Sequence, residues 1–325
     1  MRALVIDSFG GPEALHWAEI PKPEPGPGQA LVHVQYAGAN PADWKAREGM
    51  LSRFFDYHFP FILGFDLAGV VEAVGPGVAL NPGDRVFGTS RQGEGQNGSY
   101  AEYTTAYGAM LARVPEGITL AEAAAMPTAG MTAYGGLVDV GKLGPGQTVL
   151  INGGTGGVGS IAVQIAKAFG ARVAVTCGPA NADYAKRLGA DLVIDYRVSD
   201  MPATVRRWAP DGVDLLLDAV GLDTVLPRAA ALVKRGGTFV EIQTLMSAAS
   251  QTQVSEAART GVSIVSNIVA VARLPEHLSG LARLMSEGKV RMPVLEVMPL
   301  GEAACAHKRL ADGHTRGKIV LEVTA

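Results

Sequence analysis

TVLINGGTGGVGSIAVQIAKAFG, residues 148–170, decides the fold. Gly154, Gly156 and Gly159 match G-x-G-x-x-G between an apolar run, Thr148 to Ile151, and a helical pattern beginning near Val158. A dinucleotide-binding turn needs one glycine where the chain reverses, a second where a pyrophosphate approaches the backbone, and a third where helix and strand pack closely. The helix N-terminus then offers free N–H groups and partial positive charge to the phosphates. An ordinary glycine-rich strand-to-helix turn has the same composition; the strand before and the helix after favour the dinucleotide reading. Ile161, Ile165 and Phe169 recur at i, i+4, i+8 and form the buried face, with the small Ala162 and Ala166 beside it.

Working outward, ARVAVTC (171–177), DLVIDY (191–196), VDLLLDAVG (213–221) and GTFVEIQ (237–243) read as strands separated by helical stretches such as ADYAKRLGA (182–190). That alternation predicts an α/β chain with a doubly wound parallel sheet over 125–265. Residues 1–124 read as short β segments, RALVIDS, ALVHVQYAG, DLAGVVEAVGPG and GDRVFG, and 266–325 return to mixed texture closing on the strand GKIVLEV. These flanks are expected to form a second, β-rich domain. PKPEPGPG (21–28) is a rigid surface turn within it, because alternating strands resume at once.

Glycine supplies 41 of 325 residues, nearly twice its usual ~7%, and shows no collagen period. With 28 basic and 31 acidic side chains the net charge is −3, which gives no nucleic-acid footprint. Two cysteines, Cys177 and Cys305, exclude a disulfide scaffold and a four-cysteine zinc lobe. Cys177 is expected to pack at a strand end. Arg2 is followed by four apolar residues before Asp7, short of a signal-peptide core of ~7–15, and the apolar stretch 261–272 is short of the ~20 needed to span a bilayer. A cytoplasmic protein without membrane contact is expected. The histidines, among them His33, His58, His307 and His314, have no metal spacing and are expected to be structural or superficial.

The second strand ends in Thr176, Cys177 and Gly178, with no acid until Asp183. NAD sites usually carry Asp or Glu there to bind the ribose hydroxyls. A neutral end removes the repulsion of a 2′-phosphate, so NADP(H) is the expected cofactor, with Thr176 expected beside it and Tyr196 and Arg197 as candidates to meet that phosphate or, alternatively, a half-buried aromatic and a surface cation.

Taken together, MRALVIDSFGGPEAL, AGANPADWKAREG, LGFDLAGVVEAVGPGV, GSYAEY, PTAGMTAYGGL, the glycine loop, RLGADLVIDY and TRGKIVLEV resemble the medium-chain dehydrogenase/reductase superfamily, in its zinc-free quinone oxidoreductase (zeta-crystallin-like) branch. The resemblance implies a GroES-like β domain from 1–124 plus 266–325, a Rossmann domain over 125–265, and a homodimer. It also implies that Gly156, Gly157 and Val158 cradle the pyrophosphate, that Thr128 contacts the cofactor, that Lys318 in TRGKIV either reaches the cofactor or is an exposed salt-bridging lysine, and that Ala219, Val220 and Ile242 line the nicotinamide half. Zinc-dependent members use Cys, His and Cys or acid where this chain has Asn40, Phe65 and Thr128, which cannot form a zinc site; residues 89–97, at the place of the structural zinc lobe, lack cysteine. One departure concerns the cofactor: Asn181 stands where the family commonly has a lysine for the 2′-phosphate.

Without a Lewis acid the acceptor must already be electrophilic, as a quinone or an α,β-unsaturated carbonyl is. The expected activity is NADPH-dependent reduction of such a small molecule; the alternatives are an enoyl-thioester reductase of the same fold and a cofactor-binding protein of crystallin or RNA-binding type with little turnover. Four residues are candidates for catalysis. Asn40 is a hydrogen-bond donor to the acceptor or the ribose, or else a turn-stabilising residue before Pro41. Asp43 and Lys45 follow in PADWK, where a buried lysine is a proton donor, or else the two are a surface pair. Tyr57 is a phenol able to protonate an enolate, or a lining aromatic beside Phe54, Phe55 and Phe59.

Overall fold

Val149, Leu150 and Ile151 have no exposed surface, as a strand covered on both faces requires, and the apolar run without polar alternation is the sequence form of that burial. The computed structural model describes residues 1–92, 97–242, 249–267, 272–292, 294–313 and 315–323. They divide into two compact units, Met1–Ala129 with Leu278–Ser286 and Met292–Ala325, and Gly130–His277 with Glu287–Arg291. The first two changeovers lie at 129/130 and 277/278, where texture suggests 124/125 and 265/266, and the chain crosses again at 286/287 and 291/292. The apolar stretch 261–272 is therefore in the second unit; Val262 is buried there, and 268–271 lie outside the described residues. His314 and 93–96 do too.

In the second unit six parallel strands run Leu192–Asp195, Arg172–Cys177, Thr148–Asn152, Val213–Asp218, Val233–Glu241, Ser263–Ser266 across the sheet. In chain order this is 3-2-1-4-5-6, the doubly wound arrangement whose order reverses beside the first strand. The helix Gly157–Ala168 follows that strand and buries Ile161, Ala162, Val163, Ile165 and Ala166. Leu150, Ala174, Leu216 and Phe239 come from four neighbouring strands and join one core with Val205, Val225 and Leu232 from the crossover segments.

The first unit is built on an antiparallel scaffold. The long strand Gln29–Ala39 pairs with Asp66–Val74 on one side and with Lys318–Glu322 and Tyr103–Tyr107 along its length. The sheet continues through Arg85–Thr89 to Leu111–Arg113 and, beyond Lys318–Glu322, to Leu295–Pro299, while His16–Glu19, Arg2–Ile6 and Phe61–Ile62 make a smaller sheet. The pairing of Lys318–Glu322 with Gln29–Ala39 sets Ile319 opposite Ala39, so the C-terminal strand delivers Lys318 beside Asn40. The short helix Pro41–Arg47 starts at that point, with proline in its first turn, where its missing N–H costs nothing.

Candidate functional site

The glycine loop has three distinct local geometries. A Cβ on Gly159 would lie 2.1 Å from the Gly153 carbonyl oxygen and 2.8 Å from Gly154 Cα, and one on Gly154 would lie 2.5 Å from Val175 Cβ. Only glycine lets helix, loop and second strand approach so closely. At Gly156 the nearest atom to such a Cβ is Gly153 O at 3.7 Å, so that face of the loop is open. Gly156 caps the helix, and the N–H groups of Gly157, Val158 and Gly159 in its first turn have no i−4 partner in the helix. An open cradle of backbone donors at a helix N-terminus fits a pyrophosphate.

A buried hydrogen-bond set holds the loop from below. Thr176 Oγ1 donates to Asn152 Oδ1 (2.6 Å) and accepts from Gly153 N (2.9 Å), while Gly154 N donates to the Thr176 carbonyl (3.1 Å). Asn152 Nδ2 donates to Asp218 Oδ1 and Thr224 Oγ1, both 2.8 Å. Asp218 Oδ1 also takes the N–H groups of Val220 (3.1 Å) and Gly221 (3.2 Å). Thr176, expected at the cofactor, thus has its hydroxyl committed to the loop; Asn152 and Asp218, absent from the expectation, complete the support. Ala219 and Ile242 are partly buried and Val220 is exposed.

At the end of the second strand, a Cβ on Gly178 would lie 3.2 Å from Arg197 Nη2. The exposed Arg197 guanidinium therefore lies over Gly178, and its Cζ is 5.6 Å from the centroid of the exposed Tyr196 ring. Cys177 is buried at this strand end, and burial pushes its thiol up, away from the reactive thiolate.

The first unit buries a second group of polar side chains. Asp43 Oδ2 accepts from Asn40 N (2.7 Å) and Oδ1 from Phe65 N (3.1 Å). Asn40 Nδ2 donates to Asp66 Oδ2 (2.9 Å) and to Gly38 O (3.3 Å), and Asn40 Oδ1 accepts from Lys318 Nζ (2.5 Å). Asp66 Oδ1 accepts from Thr128 N (2.9 Å) and Thr128 Oγ1 (2.5 Å). Burial, then the neighbouring Asp66 charge, raises Asp43 to about 7. Burial likewise raises Asp66 and lowers Lys318, each opposed by its partner's charge.

Asn40 differs from its expected role in one respect: both amide protons are spent within the cluster, so it has no donor left for an acceptor molecule. Lys318 is 4% exposed, its ammonium held among Ala39 O, Asn40 Oδ1 and Asp66. Asp43 and Lys45 do not pair: Asp43 is fully buried in the cluster, whereas Lys45 is half-buried, its ammonium 5.6 Å from the Trp44 ring centroid, and burial lowers its pKa. Tyr57 packs edge-on to Phe9 (5.1 Å) and Phe61 (4.6 Å), and its buried hydroxyl has no hydrogen-bond partner among the described residues. Burial, followed by the charge of Asp43, pushes that phenol up to about 12, so it stays protonated and able to donate.

Beyond Asp43 runs a chain of residues that the sequence did not place in the site, His307 being expected only as a structural or superficial histidine. Arg47 Nη1 donates to His307 Nδ1 (3.1 Å), and His307 Nε2 meets Tyr100 Oη (2.9 Å). A guanidinium only donates, so His307 Nδ1 must accept, the ring is neutral and Nε2–H donates to Tyr100. The tyrosine proton is thereby directed at Asp43, its further partner. Arg47, Tyr100 and His307 are all buried.

The three positions matched to zinc ligands do not fit zinc. Asn40 is a neutral amide held between an ammonium and a carboxylate, Phe65 carries no donor atom, and Thr128 has its hydroxyl on Asp66; a second cation there would face Lys318. Among the described residues no group of three His, Cys, Asp or Glu side chains is placed to hold a metal, and no helix is long and apolar enough to cross a membrane.

The alcohol dehydrogenase GroES-like domain family matches residues 26–116, and the family described as zinc-binding dehydrogenase matches 188–321. A chloroplastic quinone oxidoreductase of Triphysaria versicolor is 34% identical over 99% of this chain and 98% of its own length. An NADPH-dependent alkenal/one oxidoreductase of Arabidopsis thaliana is 33% identical over 99% of this chain and 79% of its own. Among solved structures, a mycobacterial protein in complex with NADPH superposes with a TM-score of 0.86 at 31% identity, covering 99% of this chain and all of the other. With a Rossmann-ordered sheet, a GroES-like β unit and full-length similarity above 30%, the chain belongs to the quinone oxidoreductase branch of the medium-chain dehydrogenase/reductase superfamily.

Proposed function

We propose that the protein is a zinc-independent, NADPH-dependent reductase of quinones or other α,β-unsaturated carbonyl compounds. The observation that carries the cofactor is the second strand's end: no acid, and Arg197 lying over Gly178 beside an open glycine cradle. Bound NADPH supplies a hydride. Gly156, Gly157 and Val158 bind its pyrophosphate, Arg197 its 2′-phosphate, and Ala219, Val220 and Ile242 pack against the nicotinamide half. In the first unit, Tyr57 holds a proton on a phenol that burial keeps un-ionised, ready for an enolate oxygen or carbon.

The zinc reading rests on the donor chemistry of Asn40, Phe65 and Thr128, not on what the site contains. The acceptor class is supported by the relatives' quinone and alkenal/one activities. The setting we propose is the cytoplasm, and the assembly a homodimer formed through the open sheet edge Ser263–Ser266, which size-exclusion chromatography tests.

NADPH oxidation on addition of phenanthrenequinone or an alkenone is the expected result. Transfer to a 2-enoyl thioester alone moves the reading to an enoyl-thioester reductase, and binding without oxidation of any of these contradicts it. NADPH is expected to bind at least tenfold tighter than NADH, ~1.4 kcal/mol. Arg197→Ala should remove most of that preference by weakening NADPH alone; an equal loss for both nucleotides would place Arg197 away from the 2′-phosphate.

A further inference from the structure

Lys318 opens the C-terminal strand with a side chain that is almost wholly buried. A buried ammonium is tolerated only when its protons are matched, and here the account closes. One proton goes to Ala39 O (3.0 Å), one to Asn40 Oδ1 (2.5 Å), and the third faces Asp66 Oδ2 at 3.7 Å. Asp66 in turn holds the other end of the same carboxamide through Asn40 Nδ2 (2.9 Å). Cation and anion therefore grip opposite ends of one amide, which fixes which end is oxygen and which is nitrogen, since an ammonium only donates and a carboxylate only accepts. A ligand phosphate would have to take protons that three protein oxygens already hold.

We propose that Lys318 is a positioning residue for the reduction: with Asp66 it locks the Asn40 carboxamide, leaving one Oδ1 lone pair as that group's only remaining valence, and it contacts neither cofactor nor acceptor. The inference rests on the reductase reading above. It assigns Asn40 the part of an acceptor of a hydroxyl or N–H proton, the reverse of the donor role expected from sequence, and gives Lys318 a reason to be buried.

The test uses the full-length protein in four forms: wild type, Asn40→Ala, Lys318→Met and the double variant. A fifth, Lys318→Met/Asp66→Asn, removes the carboxylate that Lys318→Met leaves unpaired and guards against a folding defect. NADPH dissociation constants come from fluorescence titration and kcat from quinone-dependent NADPH oxidation. Expected are NADPH affinities within twofold of wild type, a fall in kcat of tenfold or more for the Lys318 variants, and no further fall when Lys318→Met is added to Asn40→Ala. A tenfold loss of NADPH affinity in the Lys318 variants overturns the inference in favour of direct cofactor contact, and it can be read without turnover. A kcat loss that is the same with and without Asn40 also overturns it, as does wild-type kcat in Lys318→Met/Asp66→Asn. Failure of the wild type to oxidise NADPH with any acceptor contradicts the reductase reading itself and is seen before any variant is made.

Discussion

Gly159→Ala is expected to lose about 3 kcal/mol of stability. An alanine in the first turn of a helix normally gains up to about 1 kcal/mol over glycine, so the sign alone is informative. The added methyl would sit 2.1 Å from the Gly153 carbonyl oxygen and 2.8 Å from Gly154 Cα, both backbone atoms that cannot swing aside, and the loop must open or the helix must leave the strand. Thermal unfolding should fall by roughly 6–12 °C at about 2–4 °C per kcal/mol for a unit of this size, with NADPH affinity lost alongside. Gly156→Ala separates the two effects. Its Cβ meets nothing closer than 3.7 Å, so stability should change by no more than about 1 kcal/mol, the cost of an alanine N-cap. NADPH affinity should nevertheless fall at least tenfold, because the methyl fills the cradle. Equal stability losses for the two variants would show that the loop is only tightly packed.

His307→Gln is expected to change how stability depends on pH. Burial, followed by the charge of Arg47, pushes folded His307 down to about 3 from an ordinary 6.5. The unfolded chain therefore binds more protons between those values. The stability associated with the neutral ring is complete above about pH 6.5 and is lost as the pH falls, at ~1.4 kcal/mol per unit. Asp43, raised to about 7, acts in the opposite direction, its ionisation opposing folding as pH rises, but it is present in both proteins and cancels in the comparison. The stability advantage of wild type over His307→Gln should thus shrink by about 4 kcal/mol between pH 6.5 and 3.5. Denaturant unfolding of both proteins across that range measures it; a constant difference would mean that His307 stays protonated in the fold, which the Arg47 contact forbids.

The legible part of the molecule is the part encoded locally. The glycine loop, the strand before it and the helix after it lie within 148–170, and their spacing carries the steric demands that Gly154 and Gly159 meet. The neutral end of the second strand and Arg197 were equally readable, because parallel strands place consecutive C-terminal ends side by side. Thr176 shows what is not legible: a threonine at a strand end can face a ligand or its own loop, and the bonds of its hydroxyl to Asn152 and Gly153 follow only from the register of the two strands. Nothing local announces the first unit's cluster. His307 reaches Tyr100 across 207 positions and Arg47 across 260, and each looks like an ordinary surface-capable polar residue in its own segment. Lys318 in TRGKIV reads as an exposed cation until the antiparallel pairing with Gln29–Ala39 buries it against Asn40 and Asp66. The unit boundaries fell later than texture suggested because helical spacing alone does not tell which sheet a helix packs on.

Hydride delivery from NADPH to an activated carbonyl without zinc is checked by quinone-dependent NADPH oxidation after exhaustive chelation, with metal content determined on the same sample. Undiminished oxidation at well below one zinc per chain is expected. Activity that collapses on chelation and returns with added zinc would contradict it.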